Sequence, residues 1–157
     1  METLRLYIDS SVWNAAFDGH TPETQAQTRD FLRRVREPGG GHVFVSTVVL
    51  QELARAPAER TELLRELLHE AAPDVLDLDD ESAALAEAYV AHGVLTAGHI
   101  PDAQHVAIAT VAQLNVIVSW NYRHLVNRRR REAFNGVNAI TGYHGIDIIS
   151  PPEVFDD

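Results

Sequence analysis

Four polar side chains stand where apolar segments end or helices begin, and their types suggest metal-dependent chemistry. Asp9 follows the apolar stretch LRLYI, Glu52 and Asp102 fall in predicted helices, and Asn121 comes just after the apolar stretch VIV. Carboxylates packed closely raise each other's pKa unless a divalent cation neutralises them. Because all-oxygen ligand sets favour Mg²⁺ or Mn²⁺ over Zn²⁺, we predict a magnesium or manganese site with these four residues as ligands.

Each of the four residues also has an ordinary structural role. Asp9, Ser10 or Ser11 could cap a helix that begins near Val12, and Asp102 could interact favourably with a helix dipole. Glu52 could lie on a solvated helix face, and Asn121 could be a turn residue after a strand. Their joint position favours a shared site: they belong to four different strand-to-helix units, and a parallel sheet would bring all of them to one edge.

The elements that would position these residues alternate between strands and helices. Short apolar segments predict strands at residues 4–8, 43–46, 74–78, 115–119 and 146–150. The helices between them include an alanine-rich helix that starts at Pro101, after a loop over residues 96–100, and a basic helix over residues 122–134. This alternation predicts the α/β class: one domain over residues 1–157, with a mostly parallel central sheet of four to five strands and helices on both faces.

The composition narrows the classes of protein. At 157 residues and 45% hydrophobic content the chain suits one soluble globular domain. It contains no Cys, which excludes disulfides and zinc–thiolate sites, and its 13 basic residues other than His are all Arg, which excludes lysine-dependent chemistry. There is no apolar run of membrane-spanning length and no signal-peptide pattern, so we expect a cytoplasmic protein without membrane contact.

The basic charge is concentrated in one segment of an otherwise acidic chain. The net charge of −10 argues against broad nonspecific binding of nucleic acid, but Arg123 and Arg128 to Arg131 place five of the 13 arginines within nine positions. On the predicted helix, Arg128 and Arg131 share a face with His124. We predict that this face, together with Arg123, contacts a phosphate backbone. The alternative is a solvated face that balances the acidic helices.

Four segments resemble, in order, the signature segments of the PIN domain family. They are LYIDSSVW, VVLQEL, PDAQHVAIA and VSWNYRHL, and the resemblance extends from Leu4 to about Val154. It implies a PIN-like fold with three or four acids around one or two Mg²⁺ or Mn²⁺ ions, and an endoribonuclease that leaves a 5′-phosphate and a 3′-hydroxyl. Small bacterial members are commonly toxins of the VapC type, each held inactive by an antitoxin protein, and small members often form homodimers.

The resemblance assigns the acids to metal binding and also reveals one departure. Asp9 and Asp102 would hold the ion, with Glu52 binding it directly or through water, and the ion would activate a water molecule for attack on a phosphodiester. Many family members carry a fourth Asp in a Thr/Ser-x-Asp segment, whereas this chain has Ser119 followed by Asn121. An amide is a poorer Mg²⁺ ligand than a carboxylate. A second hypothesis therefore stays open: a noncatalytic member that binds RNA or a partner protein.

Supporting residues are predicted around the acids. Ser10, Ser11 and Ser119 would hold the site through hydrogen bonds. His105 lies one helical turn after Asp102. It could support the site as a hydrogen-bonding partner or a proton donor, or it could be a packed core histidine. A phosphatase-like hydrolase on a similar sheet is disfavoured, because no Asp-x-Asp follows the first strand and the chain has no lysine.

Overall fold

Five short strands form one parallel sheet, with the first strand of the chain at its centre. The computed structural model describes residues 3–155, so the ends of the predicted 1–157 domain, residues 1–2 and 156–157, lie outside it. The strands are β1 (Arg5–Ile8), β2 (His42–Ser46), β3 (Asp74–Leu76), β4 (Val116–Val118) and β5 (Asp147–Ile149). Their order across the sheet is β3-β2-β1-β4-β5, and all neighbours are parallel.

The direction of the winding reverses at β1, and the reversal creates a crevice at the carboxyl edge of the sheet. From β1 the chain passes to β2 and β3 on one side, and it then crosses to β4 and β5 on the other. Ligands of open α/β sheets bind in the crevice outside the strand ends at such a reversal. Asp9 directly follows β1 and Ser119 directly follows β4. Both residues therefore lie at the position where this architecture places its ligands.

Within residues 3–155, eight α-helices connect and cover the strands. They are α1 (Ser10–Ala15), α2 (Pro22–Val35), α3 (Thr47–Leu53), α4 (Ala58–Ala71), α5 (Asp80–Ala91), α6 (Ile100–Val111), α7 (Arg128–Thr141) and α8 (Pro151–Val154). Crossovers between parallel strands are right-handed in nearly all proteins, so crossovers in both directions from β1 place helices on both faces of the sheet. Helix α3 also contacts α6, which brings the helix of Glu52 beside the helix of Asp102. None of the helices in this range combines the length and the apolar character that spanning a bilayer requires.

The central strands are apolar because both of their faces are covered. In β1, Leu6, Tyr7 and Ile8 are 0% exposed, and in β4 the same is true of Ile117 and Val118. A parallel sheet between two helical layers requires such continuously apolar strands. The buried strands give a rigid backbone from which the polar residues at the carboxyl edge project.

The predicted fold class is confirmed, with differences at the ends of elements. The sheet has five strands, and all of them are parallel. The third strand ends at Leu76 rather than at residue 78, and α6 begins at Ile100 rather than at Pro101. Pro101 then occupies an early helical position, where its missing N–H breaks no intrahelical bond. The predicted loop before it contains a short 3₁₀ turn, Ala97–His99.

The basic helix begins six residues later than predicted, at Arg128 instead of residue 122. Its start is set by Asn127, which has an extended backbone and whose side chain accepts a hydrogen bond from a backbone N–H of the first turn at 2.9 Å. Residues 122–125 form turns instead. His124 therefore lies outside the helix, and the predicted shared helical face with Arg128 and Arg131 is wrong.

We expect the buried β4 to dominate the stability of the sheet. The substitution Ile117→Ala should lower the free energy of unfolding by about 2–5 kcal/mol, because it removes a fully buried side chain and leaves a cavity. The matched control is Ile140→Ala on α7, where the side chain is 68% exposed and the change should stay within about 0.5 kcal/mol. Urea unfolding followed by circular dichroism measures both, and equal effects would contradict the expectation.

Candidate active site

Asp9 is held at the carboxyl edge by two serines. The residue is 3% exposed. Its Oδ1 accepts hydrogen bonds from the backbone N–H of Ser11, at 3.0 Å, and from the Ser11 hydroxyl, so Asp9 does cap α1. Its Oδ2 accepts a hydrogen bond from the hydroxyl of Ser119 at 2.6 Å. A hydrogen bond between two side chains thus joins the ends of β1 and β4.

The two serine hydroxyls are oriented by the segment after β4. The Ser11 hydroxyl oxygen accepts from the backbone N–H of Trp120 at 2.9 Å, and the Ser119 hydroxyl oxygen accepts from the backbone N–H of Asn121 at 2.9 Å. The Trp120 indole in turn donates to the Thr28 hydroxyl of α2 at 2.8 Å. Because each hydroxyl accepts from a backbone N–H, its own proton is free to point at Asp9.

Glu52 forms the second carboxylate position. Its Oε1 lies 2.6 Å from His105 Nε2 and accepts the hydroxyl of Ser10 at 3.1 Å. The consecutive serines at the start of α1 therefore serve different acids, since Ser11 binds Asp9 and Ser10 binds Glu52. This arrangement places the two carboxylates on either side of the start of α1.

His105 connects Glu52 to a buried chain of hydrogen bonds that continues through Tyr7 to Ser46 in the sheet. Its Nδ1 lies 2.6 Å from the Tyr7 hydroxyl, which lies 2.7 Å from the Ser46 hydroxyl. Ser46 also accepts from the backbone N–H of Val49 at 3.2 Å, which caps α3. Since Glu52 is an acceptor, His105 donates from Nε2, and in the neutral ring Nδ1 accepts from Tyr7. The chain fixes the orientation of the imidazole that holds Glu52.

Burial and charge act differently on the three titratable groups. Burial raises the pKa of Asp9, and the charge of His105 and the serine hydrogen bonds oppose the shift only in part. Burial also opposes ionisation of Glu52, but its hydrogen bond to His105 and the attraction between them keep the pKa of Glu52 below the ordinary value. Burial disfavours the His105 cation, yet Glu52, Asp9 and Asp102 together raise the pKa of His105. The ionised Asp9 is therefore the group that lacks sufficient compensation.

Asp102 lies in the first turn of α6 and faces a different histidine. Its Oδ2 lies 3.1 Å from Nδ1 of His124. Asn121 supports this histidine, because its side-chain oxygen accepts from the backbone N–H of His124 at 3.0 Å, which is the turn role open to Asn after a strand. One ligand atom from each of His99, Asp102 and His124 lies within 4.8 Å of the others. Within residues 3–155, these three side chains are close enough together to bind one metal ion without a change of fold. The group contains neither Asp9 nor Glu52.

The predicted arginines separate into two groups. Arg131 is turned towards the sheet, where it donates to the carbonyl oxygen of Ile148 at 3.0 Å, and Arg128 pairs on the surface with Glu132 at 2.9 Å. A groove of about 640 Å³ lies beside His99 and His124 instead. Its basic lining comes from three arginines: Arg123, Arg129 and Arg130.

Asp9 and Glu52 define what we call the carboxylate pocket, and its donor chemistry suits a divalent cation. Asp9 is buried, and its hydrogen bonds within residues 3–155 come from hydroxyl groups and a backbone N–H, all of them neutral donors. The Asp9 and Glu52 oxygens are the hard ligands that Mg²⁺ and Mn²⁺ prefer. Asp102 lies near enough for its charge to act on His105. A cation beside Asp9 would supply the compensation that its burial requires.

Comparisons with known proteins agree with this architecture. The family model described as PIN domain matches residues 6–128. The chain therefore belongs to the PIN domain family. A comparison with curated protein sequences gave no significant match.

Two solved structures share the fold. One is VapC20 of Mycobacterium tuberculosis, described as a toxin that cleaves the sarcin–ricin loop; it has a TM-score of 0.57 and 14% identity over 76% of this chain and 92% of that chain. The other is VapBC2 from Rickettsia felis, bound to a DNA fragment from its promoter, with a TM-score of 0.54 and 10% identity over 94% of this chain and 98% of that chain. At these identities the similarity concerns the fold alone.

Three residues of the site were not predicted from the sequence. Tyr7 and Ser46 looked like strand residues, although Tyr7 stands two positions before Asp9 and so lies on the same face of β1. His99 was assigned to a loop. Its position three residues before Asp102, close to one helical turn, was the signal that could have identified it.

We expect the ring of His105 to titrate above its ordinary pKa of 6.5. The protonated ring then contributes stability that is fully present below pH 6.5 and is lost as the pH rises through the folded-state pKa. Histidine NMR signals measured across the pH range give the midpoint, and urea unfolding gives the matching loss of stability.

The substitution Glu52→Gln should lower this midpoint, because burial of the ring is then opposed by less negative charge. Glu62→Gln, an exposed carboxylate on α4, is the matched control and should leave it unchanged. A midpoint below 6.5 in the unmodified protein would contradict the arrangement.

Proposed function

We propose that this protein is a divalent-metal-dependent endoribonuclease of the VapC toxin type. The observation that carries the proposal is the buried Asp9, held by neutral donors at the reversal of the sheet with Glu52 beside it. Membership of the PIN domain family supports it, and so does the similarity of the fold to that of VapC20, a toxin that cleaves the sarcin–ricin loop.

The residues of the site have distinct roles in this proposal. Asp9, Glu52 and Asp102 hold Mg²⁺ or Mn²⁺, with Asn121 as a neutral fourth oxygen near Asp102. When bound, the ion supplies Lewis acidity, which makes a water molecule a better nucleophile and offsets negative charge on the phosphate. No side chain of the protein needs to act as the nucleophile, and hydrolysis leaves a 5′-phosphate and a 3′-hydroxyl.

His105 acts through Glu52 in this scheme. Its hydrogen bond at 2.6 Å keeps Glu52 ionised and fixes the direction of the carboxylate. The Tyr7 hydroxyl holds the other side of the ring at 2.6 Å. His105 is thus a positioning residue, whose loss weakens metal binding by misplacing Glu52.

RNA is proposed to approach along the basic groove. Arg123, Arg129 and Arg130 line it together with His124, next to Asp102. Arg131 and Arg128, which we predicted as phosphate contacts, are engaged with Ile148 and Glu132. Arg130 also donates to the carbonyl oxygen of Val94, so Arg123 and Arg129 are the lining arginines proposed to contact phosphate. A positive groove beside an acidic pocket allows a phosphate backbone to approach a protein of net charge −10.

A partner protein follows from the same proposal. We propose a cytoplasmic toxin that is held inactive by an antitoxin, which places an arginine or an amphipathic segment against the carboxylate pocket, and that can pair as a homodimer. Arginine matches carboxylates with bidentate hydrogen bonds, so it is the side chain expected to occupy the pocket in place of a metal.

The second candidate function is a noncatalytic module that binds RNA or a partner protein. It is favoured by Asn121, which replaces the fourth Asp of many family members and already uses its side-chain oxygen to accept from the His124 backbone. Loss of one negative charge weakens the attraction for divalent ions. The cleavage experiment below separates the two candidates.

Purified protein should cleave a pool of cellular RNA in Mg²⁺ or Mn²⁺ and should not do so in EDTA. Asp9→Asn and Asp102→Asn should each reduce the cleavage rate by more than roughly 100-fold. Loss of a residue that only supports a metal ligand through a hydrogen bond costs up to about 100-fold, and loss of a ligand itself should cost more. Asp80→Asn, an exposed carboxylate in the first turn of α5, is the matched control and should leave the rate unchanged.

Two results would overturn the nuclease proposal. Metal-dependent cleavage that persists in both Asp9→Asn and Asp102→Asn would assign the activity to something other than this site. Absence of cleavage, with RNA still bound and Mn²⁺ still detected by calorimetry, would establish the noncatalytic module.

Arg123→Ala should weaken RNA binding and reduce its salt dependence. Removal of one phosphate contact lowers the slope of log K against log salt by about 0.7 for a single strand. Arg65→Ala on α4 is the matched control, because this arginine pairs with Glu62 away from the groove. Fluorescence anisotropy in EDTA measures both variants, and an unchanged slope for Arg123→Ala would exclude the groove as the RNA path.

A further inference from the structure

A second group of metal ligands lies next to the carboxylate pocket and shares Asp102 with the proposed Mg²⁺ or Mn²⁺ site. His99, Asp102 and His124 come from the 3₁₀ turn before α6, from the first turn of α6 and from the turns after β4, and their ligand atoms lie within 4.8 Å of one another. We propose that these three residues form a site for a transition-metal dication such as Zn²⁺. The proposal does not depend on the nuclease function, because it concerns metal binding alone.

The geometry requires little rearrangement. Ligand atoms at about 2.1 Å from a tetrahedral Zn²⁺ stand roughly 3.4 Å apart. Nδ1 of His124 and Oδ2 of Asp102 are already 3.1 Å apart. No pair of ligand atoms is more than 4.8 Å apart, so two ligand atoms must approach each other by at most about 1.4 Å to bind the ion. His99 is exposed, so its ring can turn without disturbing the core.

The two imidazoles lie against each other, and the backbone of His124 is held in place. The rings of His99 and His124 are 4.0 Å apart between centroids, at 42° to each other. The backbone of His124 is held by Asn121 Oδ1 at 3.0 Å. Asn121 therefore positions a ligand of this second site.

The donor set selects the class of metal. Two imidazoles and one carboxylate are borderline ligands that suit Zn²⁺ and its transition-metal neighbours, whereas Mg²⁺ prefers oxygen alone. Three protein ligands also leave a coordination position open. His99 and His124 line the basic groove with Arg123, Arg129 and Arg130, so the open position faces a surface that favours an anionic ligand, of the phosphate class.

The test is Zn²⁺ binding to the full chain by calorimetry, together with the visible spectrum of Co²⁺ as a substitute ion. His99→Gln and His124→Gln should each weaken Zn²⁺ binding at least tenfold and reduce the intense visible Co²⁺ bands that report tetrahedral coordination. His69→Gln, an exposed histidine at the end of α4, is the matched control and should change neither. Thermal unfolding of each variant verifies that it is folded.

The variant Asp9→Asn separates this site from the carboxylate pocket, and it should leave Zn²⁺ affinity within twofold of the unmodified protein. Zn²⁺ binding that is unchanged in His99→Gln would overturn the proposal. So would a loss of Zn²⁺ binding in Asp9→Asn equal to that in His124→Gln, since the ion would then lie among the carboxylates. Neither result depends on whether the protein cleaves RNA.

Discussion

The hydrogen bond from Ser119 to Asp9 is the point at which the fold and the candidate site depend on each other. It joins the ends of the two strands between which the winding of the sheet reverses, and its acceptor is a buried carboxylate. Burial of a charge is unfavourable unless it is compensated. The serine hydroxyls compensate it with hydrogen bonds but bring no positive charge, so the architecture positions an acid that is stable in the fold and still attracts a cation.

The residues of the site combine structural and chemical roles. Asp9 caps α1 with one oxygen, and Ser46 caps α3 while it supports Tyr7. A cap requires an oxygen at a defined place above a helix start, and a metal ligand requires an oxygen at a defined place above a strand end. In a parallel α/β sheet the two places are neighbours. The two readings of the sequence, capping and metal binding, were therefore never exclusive.

The sequence predicted the sheet, and the polar residues that directly follow β1 and β4, because both depend on local patterns. Apolar runs that end in an acid or a serine marked β1 and β4, and the alternation of strands with helices implied parallel pairing. The start of α7 was predicted six residues too early. The segment is rich in arginine, a good helix former, so the sequence pattern favours a helix. The actual start is set by the backbone geometry of the Asn127 cap, which the pattern does not reveal.

The partners of each acid were less predictable. His105 binds Glu52 rather than Asp102, and His124 faces Asp102. Both pairings depend on how α3, α6 and the turns after β4 pack together. Spacing along one element cannot reveal contacts between elements. The same limit applied to Arg131, whose guanidinium binds the backbone of β5.

The two tryptophans of the chain both lie against this edge of the sheet. Trp13 belongs to α1 and donates its indole N–H to the carbonyl oxygen of Ile8 at 3.1 Å, while the backbone of Trp120 holds Ser11. The Trp13 indole is thus hydrogen-bonded to the residue before Asp9, and Trp120 is bonded through its backbone to the serine that holds Asp9. The intrinsic ultraviolet emission of the molecule is in effect a label placed at the carboxylate pocket, so occupancy of that pocket has an optical readout that requires no dye and no engineered chromophore.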